Sequence, residues 1–206
     1  MVKSKIIGLG AEAVVTLNSD KTVSKVRPVK GYRIFQIDDK IRKLRTRAEG
    51  RLMLRASKIV NAPTVFSVDE KNHKLVMSFV DGEKLSDFLT SSGVDNAKSI
   101  CFVLGKEVSK LHDSNIVHGD LTSSNIIVPN GGKEVFFIDF GLSFYSENFE
   151  DKAVDVHLFK EALEAKHYDR FDSLYESFLK GYSSSKNFNK VIDQLSKVEA
   201  RGRYRH

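Results

Sequence analysis

The chain has 206 residues, 41% of them hydrophobic and 29% charged, and its formal net charge is +6. That length allows one substantial core or two small lobes, while no apolar run approaches a membrane span and no secretory signal pattern opens the chain. The lone cysteine, Cys101, excludes an intramolecular disulfide and a thiolate metal cluster, and the histidines show no ligand spacing, so the expectation is a cytoplasmic enzyme with no membrane partner.

Ile6-Ile7-Gly8-Leu9-Gly10-Ala11-Glu12-Ala13-Val14-Val15 reads as a strand, a glycine turn and a second strand. Glycines let backbone N–H groups approach phosphate oxygens closely, although Ala13 stands where a third glycine would complete the pattern. Asn18-Ser19-Asp20-Lys21 supplies turn chemistry, and Thr22 to Arg27 resumes an extended run. Side chains alternate along a strand, so Val23 and Lys25 share a face. A lysine there suits contact with the α- and β-phosphates of a nucleotide, with Gly8, Gly10, Ala13, Val15 and Val23 as the accompanying candidates.

Residues 21–58 hold 13 Lys or Arg against 3 Asp or Glu, a local excess of +10, so the rest of the chain sums to −4. Part of such a run is a solvated helix face, and the excess also points to a phosphate-rich or acidic partner. Asp38 or Asp39 is expected to N-cap a long helix running to about Ser57. Ile37, Ile41, Leu44, Ala48, Leu52 and Ala56 recur at steps of three and four and predict its buried stripe. Glu49 shares a face with Leu52 and Met53. An isolated surface Glu would merely pair with a neighbour such as Arg45; after a strand lysine, it fits the helical glutamate that positions that lysine.

Asn61-Ala62-Pro63 breaks the chain before expected strands near Thr64–Val68 and Lys74–Phe79. Met77-Ser78-Phe79-Val80-Asp81-Gly82 reads as a link dividing an N-lobe, residues 1–80, from a C-lobe, residues 81–206. Met77, Ser78 and Val80 are candidates for the adenine edge, chiefly through the backbone at Ser78 and Val80. Helices follow over Ser86 to Leu89 and Asp95 to His112, the second burying Ala97, Ile100, Leu104, Val108 and Leu111. Cys101 sits inside that apolar run and reads as a buried structural thiol.

The most informative stretch is His118-Gly119-Asp120-Leu121-Thr122-Ser123-Ser124-Asn125, followed by Asp139-Phe140-Gly141. Ile126-Ile127-Val128 and Phe136-Phe137-Ile138 are expected strands on either side of a hairpin. Each motif matches a kinase pattern, the catalytic loop H-x-D-L-x-x-x-N and the metal-binding D-F-G. Asp120 would accept or orient the proton of an attacking hydroxyl, and Asn125 and Asp139 would offer oxygen ligands to magnesium. A lone Asp is usually a turn residue or helix cap. Two motifs in order, each beside a strand, favour phosphoryl transfer.

Only eight residues separate Gly141 from Glu150 and no Ala-Pro-Glu follows, which leaves no room for a regulatory activation loop. Gly119 stands where many kinases carry the arginine that receives an activation-loop phosphate, so control of that kind is not expected. Glu150-Asp151-Lys152-Ala153-Val154-Asp155 begins a helix whose acids favour its first turn, and Asp155 is a candidate to brace the catalytic loop. Helices near Phe171–Tyr182 and Asn187–Val198 precede a basic tip from Arg201 to His206, which Gly202 is expected to keep from stable helix.

Taken together these segments resemble the small atypical kinase family of the KEOPS complex, related to the p53-related protein kinase. The resemblance covers nearly the whole chain and rests on Gly8-x-Gly10-Ala11-Glu12-Ala13, Lys25-Val26-Arg27, Lys30-x-Tyr32-Arg33 and Arg45-Thr46-Arg47-x-Glu49. His118-Gly119-Asp120-Leu121-Thr122, Ile138-Asp139-Phe140-Gly141-Leu142, Glu150 to Asp155 and Arg201-Gly202-Arg203 complete it. Ser24 and Ser78 depart from the commoner apolar and acidic residues, and neither removes a catalytic group. The resemblance implies an α+β, minimal two-lobed protein-kinase-like fold, ATP with Mg2+, and serine/threonine phosphorylation. It also implies ATPase activity within a complex that makes threonylcarbamoyladenosine in tRNA. The implied partners are a threonylcarbamoyltransferase subunit of the actin-like ATPase superfamily, a small subunit on the N-lobe, and tRNA. Arg201, Arg203 and Arg205 are then the tail positions for tRNA or partner contact.

Two other readings compete. A small-molecule phosphotransferase of the aminoglycoside or choline type also uses H-G-D-x-x-x-x-N, but few residues remain after Asp155 for the helices that would enclose its substrate. A nucleotide-binding regulatory module without turnover is disfavoured because Lys25, Glu49, Asp120, Asn125 and Asp139 are all present.

Overall fold

A computed structural model describes residues 4–203. Strands β1 (Lys5–Leu9), β2 (Val14–Leu17) and β3 (Thr22–Val26) form an antiparallel meander. Helix α1 (Phe35–Ala56) then crosses before β4 (Val65–Asp69) and β5 (Lys74–Ser78) complete the sheet in the order β1-β2-β3-β5-β4. Strand β3 is therefore central, hydrogen-bonded on both edges, and Lys25 sits on its most constrained part opposite Val15 and Leu75.

Helix α1 corrects two expectations. Its cap position is Ile34, which makes no side-chain cap hydrogen bond; Asp38 lies inside the first turn, and Asp39 meets His73 Nε2 at 2.8 Å. The expected apolar stripe is not the buried one. Ile37 and Leu44 are 52% and 50% exposed, Ala48 is exposed and Ile41 half-buried, leaving only Leu52 and Ala56 of the six inside. The buried face is instead Asp38, Arg42, Thr46, Glu49, Gly50, Leu52, Met53 and Ala56. Charges can be buried only with partners, and the side of the helix towards Arg27, Lys25 and Arg33 supplies them. Asp38 accepts from Arg42 Nε at 2.6 Å, and Arg42 in turn donates to the Arg27 carbonyl at 3.3 Å. Lys40, Lys43, Arg47, Arg51, Arg55 and Lys58 all lie exposed, the solvated basic face that the charge run predicts.

Residues 79–82 lead from the sheet into the helical lobe. There β6 (Glu83–Lys84), α2 (Leu85–Ser91) and the long α3 (Val94–Asp113) come first, then β7 (Ile116–Val117), β8 (Ile126–Val128) and β9 (Phe136–Phe137). Strand β10 (Phe144–Tyr145) pairs with β7 and is followed by α4 (Phe149–Lys166), α5 (Phe171–Tyr182) and α6 (Phe188–Arg203). Helix α3 buries Ala97, Ile100, Cys101, Leu104, Val108 and Leu111 as its periodicity predicts, and burial pushes the Cys101 thiol up to about 12. Helices α3 and α5 approach backbone to backbone. A Cβ on Gly105 would lie 2.0 Å from the Phe178 carbonyl oxygen, and one on Gly181 would lie 2.0 Å from that of Phe102. Among the described residues no helix is long and apolar enough to cross a membrane.

Candidate active site

The loop between β7 and β8 carries His118 to Asn125, and its shape is set from below by α4. Asp155 Oδ2 accepts from the His118 backbone N–H at 2.6 Å and Oδ1 from the Gly119 N–H at 2.8 Å, so it braces the loop as expected. Gly119 has φ +78°, and a Cβ there would meet the Leu142 carbonyl oxygen at 2.3 Å; an arginine has no place at that position. The His118 ring packs on Phe140 and its Nε2 donates to the Ile138 carbonyl at 3.2 Å, joining the loop to the segment after β9. Asn125 Nδ2 donates to both Asp120 Oδ2, at 2.7 Å, and the Asp120 carbonyl, at 3.0 Å. Those bonds fix the Asp120 carboxylate and leave Asn125 Oδ1 to accept.

Strands β8 and β9 form the expected antiparallel hairpin, and the chain reaches Asp139 immediately beyond. Asp139 adopts a left-handed backbone, φ 62°, unusual for a residue with a side chain. Its Oδ1 accepts from Gly141 N at 3.2 Å and from Lys25 Nζ at 2.5 Å. Burial alone would raise its carboxyl, but the Lys25 ammonium outweighs it and holds Asp139 below the usual carboxylate range.

Lys25 also donates to Glu49 Oε1 at 2.7 Å, so one buried ammonium links strand β3, helix α1 and the Asp139 turn. Glu49 Oε2 is taken by Arg27 Nη2 at 2.6 Å, which makes a buried group of two cations on one carboxylate. Arg27 is the residue that sequence reasoning missed. The signal was present: Lys25-x-Arg27 places both on one face of β3 by the same alternation that selected Val23.

Between the lobes lies a cleft of about 660 Å3. Gly8, Gly10, Ala13, Val15, Val23, Lys25, Met77, Ser78, Val80, Asp120, Asn125 and Asp139 all line it, with Glu49 behind Lys25. The Ser78 amide already donates to the Thr64 carbonyl at 2.8 Å. Further along the linking segment the Val80 N–H has no backbone partner among the described residues, and Val80 lines the cleft. A magnesium ion fits the donor set. Asn125 Oδ1 and Asp139 Oδ2 are hard oxygens outside the hydrogen bonds that fix their side chains, and magnesium takes one or two carboxylates or amides beside phosphate oxygens and water.

The tail differs from expectation. Helix α6 continues to Arg203, so Gly202 does not end it, and Arg201 Nη1 pairs with Glu150 Oε1 at 2.8 Å rather than hanging free. A glycine costs only about 1 kcal/mol in a helix, too little to stop one whose earlier turns pack on α4. Arg205 lies outside the described residues.

A nucleotide-sized cleft between a sheet and a helical lobe, a strand lysine held by a helical glutamate, and two aspartates facing it across that cleft define a protein kinase fold. The family model described as protein kinase domain matches residues 1–170. The chain is 40% identical to the KEOPS complex subunit Bud32 of Pyrococcus abyssi over 98% of its own length and 96% of that protein. It is 36% identical to a probable bifunctional tRNA threonylcarbamoyladenosine biosynthesis protein of Methanococcus maripaludis and 37% identical to one of Methanocaldococcus jannaschii. It spans about 37% of the length of each of these bifunctional relatives. The chain belongs to the Bud32 family of protein kinases. Among solved structures, the ADP-bound aminoglycoside phosphotransferase APH(2'')-Ib aligns over 95% of this chain and 91% of that one with a TM-score of 0.58; at 13% identity this is a likeness of fold alone.

Proposed function

We propose that the chain is an ATP-dependent atypical serine/threonine kinase and ATPase that serves a KEOPS-type complex in threonylcarbamoyladenosine modification of tRNA. The observation that carries the catalytic part is Lys25 Nζ, held at 2.7 Å by Glu49 and at 2.5 Å by Asp139 across the cleft. The biological part follows from the relatives' names. In this reading the Gly8 to Ala13 turn and Lys25 hold the phosphates, Val15, Val23 and Met77 sandwich the base, and the Val80 N–H meets its edge. Asp120, oriented by Asn125, accepts the proton of the attacking water or hydroxyl. Asn125 and Asp139 hold magnesium, which when bound neutralises charge on the transferring phosphate.

The segment after Gly141 supports an enzyme without an activation switch. A single 3-10 turn at Phe140–Leu142 leads directly into β10, stitched to β7, and then into α4. The absence of a docking platform there favours ATP hydrolysis in a complex over broad protein phosphorylation. The partners in this reading are a transferase subunit of the actin-like ATPase superfamily, a small subunit on the N-lobe, and tRNA. The exposed cations of α1, among them Lys40, Lys43, Arg51 and Arg55, are available to phosphate. ATP turnover should be measured for the chain alone, with the transferase subunit, and with that subunit plus tRNA. Stimulation by both additions is the expected result; turnover indifferent to them, with rapid phosphorylation of free peptides, would contradict the assignment.

A further inference from the structure

The glycine turn is tied to helix α1 through its own acidic tip. Glu12 Oε2 pairs with Arg45 Nη1 at 2.7 Å, and Oε1 receives Arg33 Nη2 at 3.3 Å. Lys30 Nζ donates to the carbonyl of the neighbouring Ala11. Three cations from outside the hairpin thus grip two adjacent residues of a turn that closes through Gly10 N donating to Ala13 O at 3.0 Å. Burial acts to raise the Glu12 carboxyl, but Arg45 and then Arg33 outweigh it and keep the group ionised below its ordinary range.

A carboxylate lining a phosphate cleft is unfavourable unless its charge is needed. Glu12 and Arg45 both line that cleft, and Arg45 stands one helical turn before Glu49 on α1. The second partner leads to the same place. Arg33 Nη1 faces Asp38 at 3.6 Å, Asp38 holds Arg42, Arg42 reaches the Arg27 carbonyl, and Arg27 grips Glu49. The helix that fixes the lysine therefore also holds the turn.

We propose that Glu12 and Arg45 are positioning residues that latch the glycine turn over the nucleotide phosphates and tie its closure to the helix carrying Glu49. The proposal rests on the cleft being the nucleotide site. Because the latch closes the turn and touches no reacting atom, it acts on nucleotide affinity and release, with little effect on the transfer step.

The test is Mg2+–ADP affinity of the full chain by calorimetry, with amide hydrogen exchange over Gly8 to Ala13 in the ADP complex. Glu12→Gln and Arg45→Gln should each weaken ADP binding about three- to tenfold and speed exchange in the turn, a loss of affinity larger than any loss in the single-turnover rate at saturating ATP. The double variant should bind no worse than the weaker single one, and Arg45→Lys should recover most of the affinity. A purely structural role would lower the melting temperature and leave the affinity of the folded protein alone. Unchanged ADP affinity in Glu12→Gln, or strictly additive losses in the double variant, would overturn the latch. A wild-type chain that binds no ADP would overturn both the latch and the nucleotide reading of the cleft.

Discussion

Helices α1 and α3 are of similar length, 22 and 20 residues, and bury faces of opposite chemistry. Helix α3 turns Ile100, Leu104, Val108 and Leu111 inward against α5, where Phe178 and Tyr182 are fully buried. Helix α1 turns Asp38, Arg42 and Glu49 inward: Asp38 and Arg42 pair with each other along the helix, and Glu49 pairs with Lys25 and Arg27 beside strand β3. Apolar contact is non-directional and needs only complementary shape. Buried charge is directional, costly when unpaired, and ties one atom to another. The helical lobe is accordingly the scaffold that holds Asp155 and the catalytic loop, while the polar face of α1 sets where Lys25 points.

Changes in the two regions should therefore fail in different ways. Phe178→Ala is expected to cost about 4 kcal/mol of stability by leaving a cavity between α3, α4 and α5, with ADP affinity of the folded fraction retained. Urea unfolding beside calorimetry checks this, and a large loss of affinity would break the separation of scaffold from site. Glu49→Gln should cost about 3 kcal/mol, because Lys25 and Arg27 stay buried side by side without their carboxylate. Unlike Phe178→Ala it should also impair turnover, and its effect should not add to that of Lys25→Ala; strict additivity would remove the pair from the account.

Smaller effects sharpen the same contrast. Asp139 has a lowered carboxyl in the folded chain, so its stabilising contribution is present above its unfolded value of 3.8 and is lost as pH falls further. Thermal midpoints followed downward from about pH 5 should drop less steeply for Asp139→Asn than for wild type. Arg201→Gln, which loses only an exposed pair with Glu150, should change stability by less than about 0.5 kcal/mol.

What was legible in the sequence follows the same division. Helix α3 and strand β8 lie where the periodicity and the apolar run put them, since hydrophobic pattern and burial coincide there. The Asp120, Asn125 and Asp139 cluster was legible because residue type and spacing at strand ends carry the chemistry. The register of α1 was not. Its apolar residues recur at helical spacing, yet the helix rotates them outward to satisfy Glu49 and Asp38, and no hydrophobic pattern records an ion pair made with another strand. Strand alternation put Arg27 on the face of Lys25 without showing that it pairs with Glu49, and the end of α6 was not legible either, because packing on α4 and the Glu150 contact override the local preference of Gly202.

The central claim is that Asp139 and Lys25 face each other across a working ATP site. Its most direct test is ATP hydrolysis titrated with Mg2+ for wild type and for Asp139→Ala, in protein shown to be folded by its unfolding transition. The account predicts saturable, magnesium-dependent turnover in wild type and loss of about a hundredfold or more in the variant. Near wild-type, magnesium-dependent hydrolysis by a well-folded Asp139→Ala chain would contradict it.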